Sequence, residues 1–149
     1  MENGTEGWKR EQVLDYLLLA HQIEVDGSAC VKVEPLPKSL KGFLKKSEFK
    51  ACYNNAYKFM SDYAHVHDVQ YVLGFGLSVI PVEHAWIKVD GVYYDPTWEK
   101  YSKIERDYVV VTELNQLELM MLTLKNNHTP PALYDLRRMK FSSTKKEGV

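Results

Sequence analysis

Residues 82–98, "VEHAWIKVDGVYYDPTW", decide how this chain is read. Asp90-Gly91 stands between two runs rich in β-branched and aromatic residues, a pair suited to a two-residue hairpin turn with positive φ at both central positions. That turn sets a register in which Val89 faces Val92, Lys88 faces Tyr93, Trp86 faces Asp95 and His84 faces Thr97. Alternation along a strand then puts Ala85, Ile87, Val89, Val92 and Tyr94 on an apolar face meant for the core. His84, Trp86, Lys88, Tyr93, Asp95 and Thr97 share the other face, polar and aromatic in the manner of a cleft wall. On it His84 and Asp95 are diagonal neighbours, with Cβ atoms about 7–8 Å apart or a little less. A carboxylate so placed can hold one imidazole nitrogen and leave the other for a reacting group. Pro96 has no amide for a ladder, so this strand is expected at a sheet edge or at its own end.

Upstream, residues 8–23 have the apolar spacing of an amphipathic helix (Trp8, Val13, Leu17, Ala20), closed by a turn at Asp26-Gly27. Residues 29–42 contain Pro35 and Pro37 and read as an extended connector. The spacing of Phe49, Tyr53, Ala56, Phe59, Met60 and Tyr63 predicts a helix over residues 47–64 with Cys52 inside it. Residues 69–80 are β-rich, and Gly74 and Gly76 point to a bulge or a close backbone approach. A strand is expected over residues 107–111, then a helix N-capped by Thr112 and running to Leu124, stopped near Asn126-Asn127. A last short helix is expected over residues 133–139, followed by a polar tail at 142–149 that should fray. Helices, then strands, then helices again describe an α+β domain with an antiparallel sheet packed against helices, spanning residues 1–141.

Composition sets the outer limits. The chain has 149 residues, 45% hydrophobic and 26% charged, with a formal net charge of −1, enough for one domain with a real core. Nothing global steers it to nucleic acid or to an anionic membrane. No apolar run is long enough to span a bilayer, and the first residues lack a secretory pattern. Cys30 and Cys52 are therefore expected as thiols in the cytoplasm, a reducing compartment.

A histidine oriented by an aspartate needs a nucleophile, and Cys52 is the candidate. The thiolate is the reactive form, favoured beside a histidinium or at a helix N-terminus. A helix beginning at Ser47 would put Cys52 in its second turn, too deep for the amide dipoles, so a start nearer residues 50–52 suits the chemistry better.

With these residues in view, "KACYNNAYKFM", a glycine-bearing strand, and then "HAWIKVDGVYYDPTW" resemble the transglutaminase-like branch of the papain-like cysteine protease superfamily. The resemblance covers residues 50–98 and is closest to small stand-alone members found in bacteria and phages. A phage origin would make the compartment the host cytoplasm. It implies Cys52 as nucleophile, His84 as general base and acid, and Asp95 as orienter, with Trp86 lining the acyl pocket or packing under the histidine. It also implies a protein or peptide amide as substrate, a thioester intermediate, and no metal or organic cofactor. Larger relatives often have a longer connection between histidine and aspartate. The oxyanion donor has no assigned side chain, although Asn54, Asn55 and Gln22 are candidates beside the Cys52 amide.

Other readings compete. Cys52 alone is the kind of thiol often buried in a core, and Asp95 before Pro96 can be a turn or capping residue. Tyr93, Trp98 and Tyr101 can form a substrate-binding aromatic wall or simply pack. His65 and His67, with Asp68, His84 or Cys52, have a spacing zinc sites use, although a solvated connector is the preferred reading. A binding module that keeps the fold and uses the His84 face as a groove is the non-catalytic alternative.

Overall fold

The computed structural model describes residues 29–102 and 105–139. The helix expected over residues 8–23, the Asp26-Gly27 turn and the tail lie outside the described residues. In chain order the elements are β1 (Cys30–Val31), a 3₁₀ turn (Lys41–Lys45), α1 (Cys52–Tyr63), β2 (Val69–Leu77), β3 (Pro81–Val89), β4 (Val92–Tyr94), α2 (Pro96–Tyr101), β5 (Tyr108–Leu114), α3 (Gln116–Lys125) and α4 (Leu133–Arg138). The strands form one sheet of order β1-β5-β2-β3-β4, every neighbouring pair antiparallel. The architecture is thus mixed helix and antiparallel sheet, the α+β class. No helix among the described residues is long and apolar enough to cross a membrane.

The hairpin forms as its turn dictates. Asp90 has φ 50° and Gly91 φ 88°, and the register runs Val89 to Val92, Lys88 to Tyr93 and Ile87 to Tyr94. There it stops. Trp86 does not face Asp95, nor His84 Thr97, because the strand ends at Tyr94 and Asp95 becomes the N-cap of α2 with Pro96 at its first position. A cap is a strong local alternative to a ladder, since the carboxylate satisfies amides that α2 would otherwise leave unpaired.

The two faces of β3 are both buried. Ala85, Ile87 and Val89 join Tyr71, Leu73 and Phe75 of β2 beneath Ala56, Phe59 and Met60 of α1 in the main core. Phe59 meets Phe43 of the 3₁₀ turn edge to face, at 5.0 Å between centroids. On the reverse face Val72, Trp86 and Tyr108 form a second cluster covered by Tyr93, Trp98 and Val110. The expected cleft wall is therefore a second core layer over much of its length. Gly74 and Gly76 make it possible. A Cβ at Gly74 would overlap the Val109 carbonyl beside the bulge between Leu73 and Gly74, and one at Gly76 would overlap the Trp98 ring.

Three further boundaries differ from expectation. Residues 29–42 hold β1 and a bridge from Glu34 to Tyr94 within the extended segment. The α1 helix starts at Cys52, past the periodic start at Ser47 and within the 50–52 range that the chemistry favours, because Lys50 sits at φ 58°, a left-handed conformation that interrupts a helix. β5 runs on through Thr112 to Leu114, paired with Leu73, Val72 and Tyr71, so Thr112 is a strand residue. Asn115 is the cap of α3, exchanging hydrogen bonds with Glu118 in a capping box.

Candidate active site

Three elements converge at the exposed end of β3. His84 lies beyond the last residue of β3 that β4 covers, so the chain that leaves β4 can fold Asp95 back onto it. His84 Nε2 is 2.8 Å from Asp95 Oδ2, and both side chains are almost fully buried, 3% and 2% exposed. A carboxylate only accepts, so Nε2 carries the proton. The other ring nitrogen, Nδ1, is not taken by the carboxylate, and Cys52 lies close enough to the ring to help raise its affinity for a proton. Cys52 is half-buried and unpaired, the one member of the three that solvent reaches.

Each of the three is held for a reason visible in the chain. Cys52 is the first residue of α1, whose N-cap Ala51 offers no side-chain acceptor. The amides of the first turn, that of Cys52 included, are then free of a cap, and the helix dipole favours negative charge there. Asp95 is gripped by four donors: His84 and the Tyr108 hydroxyl (2.6 Å) on Oδ2, and the amides of Thr97 (3.1 Å) and Trp98 (3.2 Å) on Oδ1. His84 is sandwiched in an aromatic box. Trp98 stacks on it at 3.8 Å with ring planes 15° apart, Trp86 is stacked further off at 6.1 Å, and Tyr108 tilts against all three. The Arg106 guanidinium lies 4.0 Å from the Trp98 ring centroid.

The loop before Cys52 is laced to α2. Ser47 Oγ donates to the Pro96 carbonyl, and Lys100 Nζ and the Tyr101 hydroxyl donate to the Ser47 carbonyl. Asn55 Nδ2 donates to Thr97 Oγ1 and to the Glu48 carbonyl, while its Oδ1 accepts from the Glu48 amide. The nucleophile arm and the carboxylate arm are thus one hydrogen-bonded unit.

Burial alone would push the His84 imidazole down. The Asp95 charge and hydrogen bond, joined by those of Cys52, outweigh it and raise the ring to about 9. At neutral pH the ring is an imidazolium. Burial and the Asp95 carboxylate push the Tyr108 phenol far above its usual range, so it acts only as a donor.

Of the expected residues, Cys52, His84 and Asp95 come together. Trp86 is 0% exposed, so it packs beside the histidine and cannot line a pocket open to substrate. Tyr93 also stands away from the site, four positions along the ladder beside Lys88, its hydroxyl given to Glu113. Trp98 is partly exposed and borders His84. Asn55 is buried with its amide committed to Glu48 and Thr97, which removes it as an oxyanion donor, whereas Asn54 is exposed on α1. Gln22 and His21 lie outside the described residues. His67 is paired with Asp90 at 2.8 Å and His65 is exposed. Among the described residues no three His, Cys, Asp or Glu side chains are grouped to hold a metal ion.

Tyr108 and Arg106 are contributors that sequence spacing does not find. They reach the site because β5 pairs with β2, a tertiary choice with no local signal. No family model, curated protein or solved structure matches the chain.

Proposed function

We propose that the protein is a cysteine-dependent hydrolase or acyltransferase of the transglutaminase-like type, acting on a protein or peptide amide. The observation that carries this reading is one imidazole bonded on Nε2 to a buried carboxylate, with a cysteine that opens a helix close enough to act on the same ring. A cysteine-led helix packed on an antiparallel sheet that carries the histidine supports placing the fold with the papain-like enzymes. Asp95 fixes the ring and stabilises its charge, as an orienting carboxylate must.

In this reading His84 holds the Cys52 proton on Nδ1 while Sγ attacks the substrate carbonyl, forming the C–S bond and placing negative charge on the carbonyl oxygen. The Cys52 amide and the dipole of α1 face that oxyanion. Collapse breaks the C–N bond, and the leaving amine takes the proton from His84. The neutral ring then accepts a proton from water or from an incoming amine as it attacks the thioester; collapse breaks the C–S bond, releases the acid or the new amide, and restores Cys52 beside the protonated ring. Thiol, imidazole and carboxylate supply every step, so the mechanism calls for no cofactor. Both cysteines are unpaired, which suits a reducing compartment such as the cytoplasm.

The test is alkylation of Cys52 by iodoacetamide as a function of pH, in the parent protein and in His84→Gln, with Cys30→Ser as the common background. The reading predicts fast reaction at pH 6–7 that slows at least about tenfold without the imidazole. Slow reaction at that pH, equal in both proteins, would overturn it and leave the His84 side as a binding surface.

A further inference from the structure

Asp95 Oδ2 is shared. It accepts from His84 Nε2 at 2.8 Å and from the Tyr108 hydroxyl at 2.6 Å, in a place where neither carboxylate nor phenol meets solvent to any extent. Oδ1 is already committed to two α2 amides, so the tyrosine decides which way the second oxygen points and how much of its charge the histidine receives. We propose that Tyr108 is a positioning residue of the site, holding the Asp95 carboxylate in the plane of the imidazole and drawing off part of the charge that would otherwise fall on His84. The proposal rests on the reading of Cys52, His84 and Asp95 as a catalytic set.

Two donors compete for one oxygen. A carboxylate oxygen with two donors is less basic toward each than an oxygen with one, and in a buried site no water takes the place of the lost donor. Removing the hydroxyl while keeping the ring leaves His84 with sole claim on Oδ2. The ion pair tightens and the imidazolium persists to higher pH. A tyrosine that merely filled space would do the opposite. Loosening its contacts with Trp86, Trp98 and His84 would let water in and bring the ring back toward its ordinary range. The other groups near the site are common to both proteins: Cys52 beside the ring, Tyr53 on α1 and Glu83 on β3, which act on each other with Cys52, and Arg106 across Trp98.

The experiment is NMR titration of ¹⁵N-labelled histidine rings in the parent, Cys52→Ser, His84→Gln (for assignment), Tyr108→Phe and Tyr108→Leu. Tyr108→Phe should move the His84 titration upward by roughly 0.5–1 pH unit, the equivalent of one hydrogen bond. It should also leave the Nε2 proton on the Asp95 side. Tyr108→Leu, which removes the ring too, should move it downward. An unchanged or lowered titration in a folded Tyr108→Phe protein would overturn the tyrosine's role while leaving the catalytic reading intact. A parent His84 that titrates near 6.5 and ignores Cys52→Ser would instead overturn the catalytic reading itself.

Discussion

Asn55 Nδ2 donates to Thr97 Oγ1 at 2.8 Å, a buried bond that joins the helix opened by Cys52 to the helix capped by Asp95. By tying these two helices together the bond is placed to hold the thiol and the carboxylate in register with the His84 ring. Asn55 also closes a pair of hydrogen bonds with the backbone of Glu48, so it shapes the loop that delivers Cys52. Asn55→Ala should therefore cost about 2–3 kcal/mol, since it strands several polar groups at once. It should also slow Cys52 alkylation at pH 7. Urea denaturation and iodoacetamide kinetics on the same samples check both. Lost stability with unchanged thiol reactivity would show that the link does not position the nucleophile.

Gly76 should be intolerant of even one methyl group. Its α-hydrogen faces the Trp98 ring, where a Cβ would overlap ring carbons, and Trp98 in turn lies flat on His84 at 3.8 Å. Relief by sliding the indole would uncover the His84–Asp95 bond to water. Gly76→Ala should lower stability by about 1–3 kcal/mol, the usual range for overpacking, and reduce the reactivity of Cys52. A Trp98→Phe, Gly76→Ala double variant should recover part of the loss, because the smaller ring leaves room. Thermal melts of the three proteins decide it.

How far such a site can be read from sequence depends on whether the signal is local. The Asp90-Gly91 turn is legible because few dipeptides tolerate two positive φ values, and three rungs of register follow from it. The reading fails one residue past Tyr94. Alternation continues on paper, but an aspartate followed by proline also spells an N-cap, and the cap wins. His84 and Asp95 meet all the same, through the cap geometry and not through the diagonal of a ladder. The helix start at Cys52 is hidden by Phe49, which fits the apolar period but stands 64% exposed, and by Lys50, whose left-handed backbone has no mark in its side chain. Tyr108 and the stacking role of Trp98 arise from strand order and from two glycines that let aromatic rings approach the sheet. Only the glycines have a visible trace.

Asp95→Asn separates the orienting role from the capping role. An asparagine Oδ1 can still accept from the Thr97 and Trp98 amides. Its amide nitrogen, however, is a donor and cannot accept from both His84 and Tyr108 as Oδ2 does. The folded state should lose about 1–3 kcal/mol. Loss of the carboxylate charge, the principal force raising His84, should bring the ring's titration down toward or below its ordinary value. Alkylation of Cys52 at pH 7 should then fall roughly as far as in His84→Gln, within a factor of about three. Far-UV circular dichroism with the NMR titration distinguishes a displaced imidazole from a melted α2.

The His84–Asp95 pair also sets how stability responds to pH. The ring binds its proton at about 9 in the folded protein, against about 6.5 in an unfolded chain. Below about 6.5 both states are protonated and the pair contributes in full. In a Cys52→Ser background, where no thiol proton offsets the one on the ring, the folded state holds one proton more than the unfolded state above about 6.5, so stability falls as pH rises, by up to about 1.4 kcal/mol per unit. Above about 9 that contribution is gone. Urea midpoints at pH 6, 7.5 and 9 should therefore decline in Cys52→Ser, and the Cys52→Ser, His84→Gln double variant, which has no ring proton to lose, should show a flatter series. If the two proteins run parallel across this window, His84 is not the buried imidazolium that its bond to Asp95 requires.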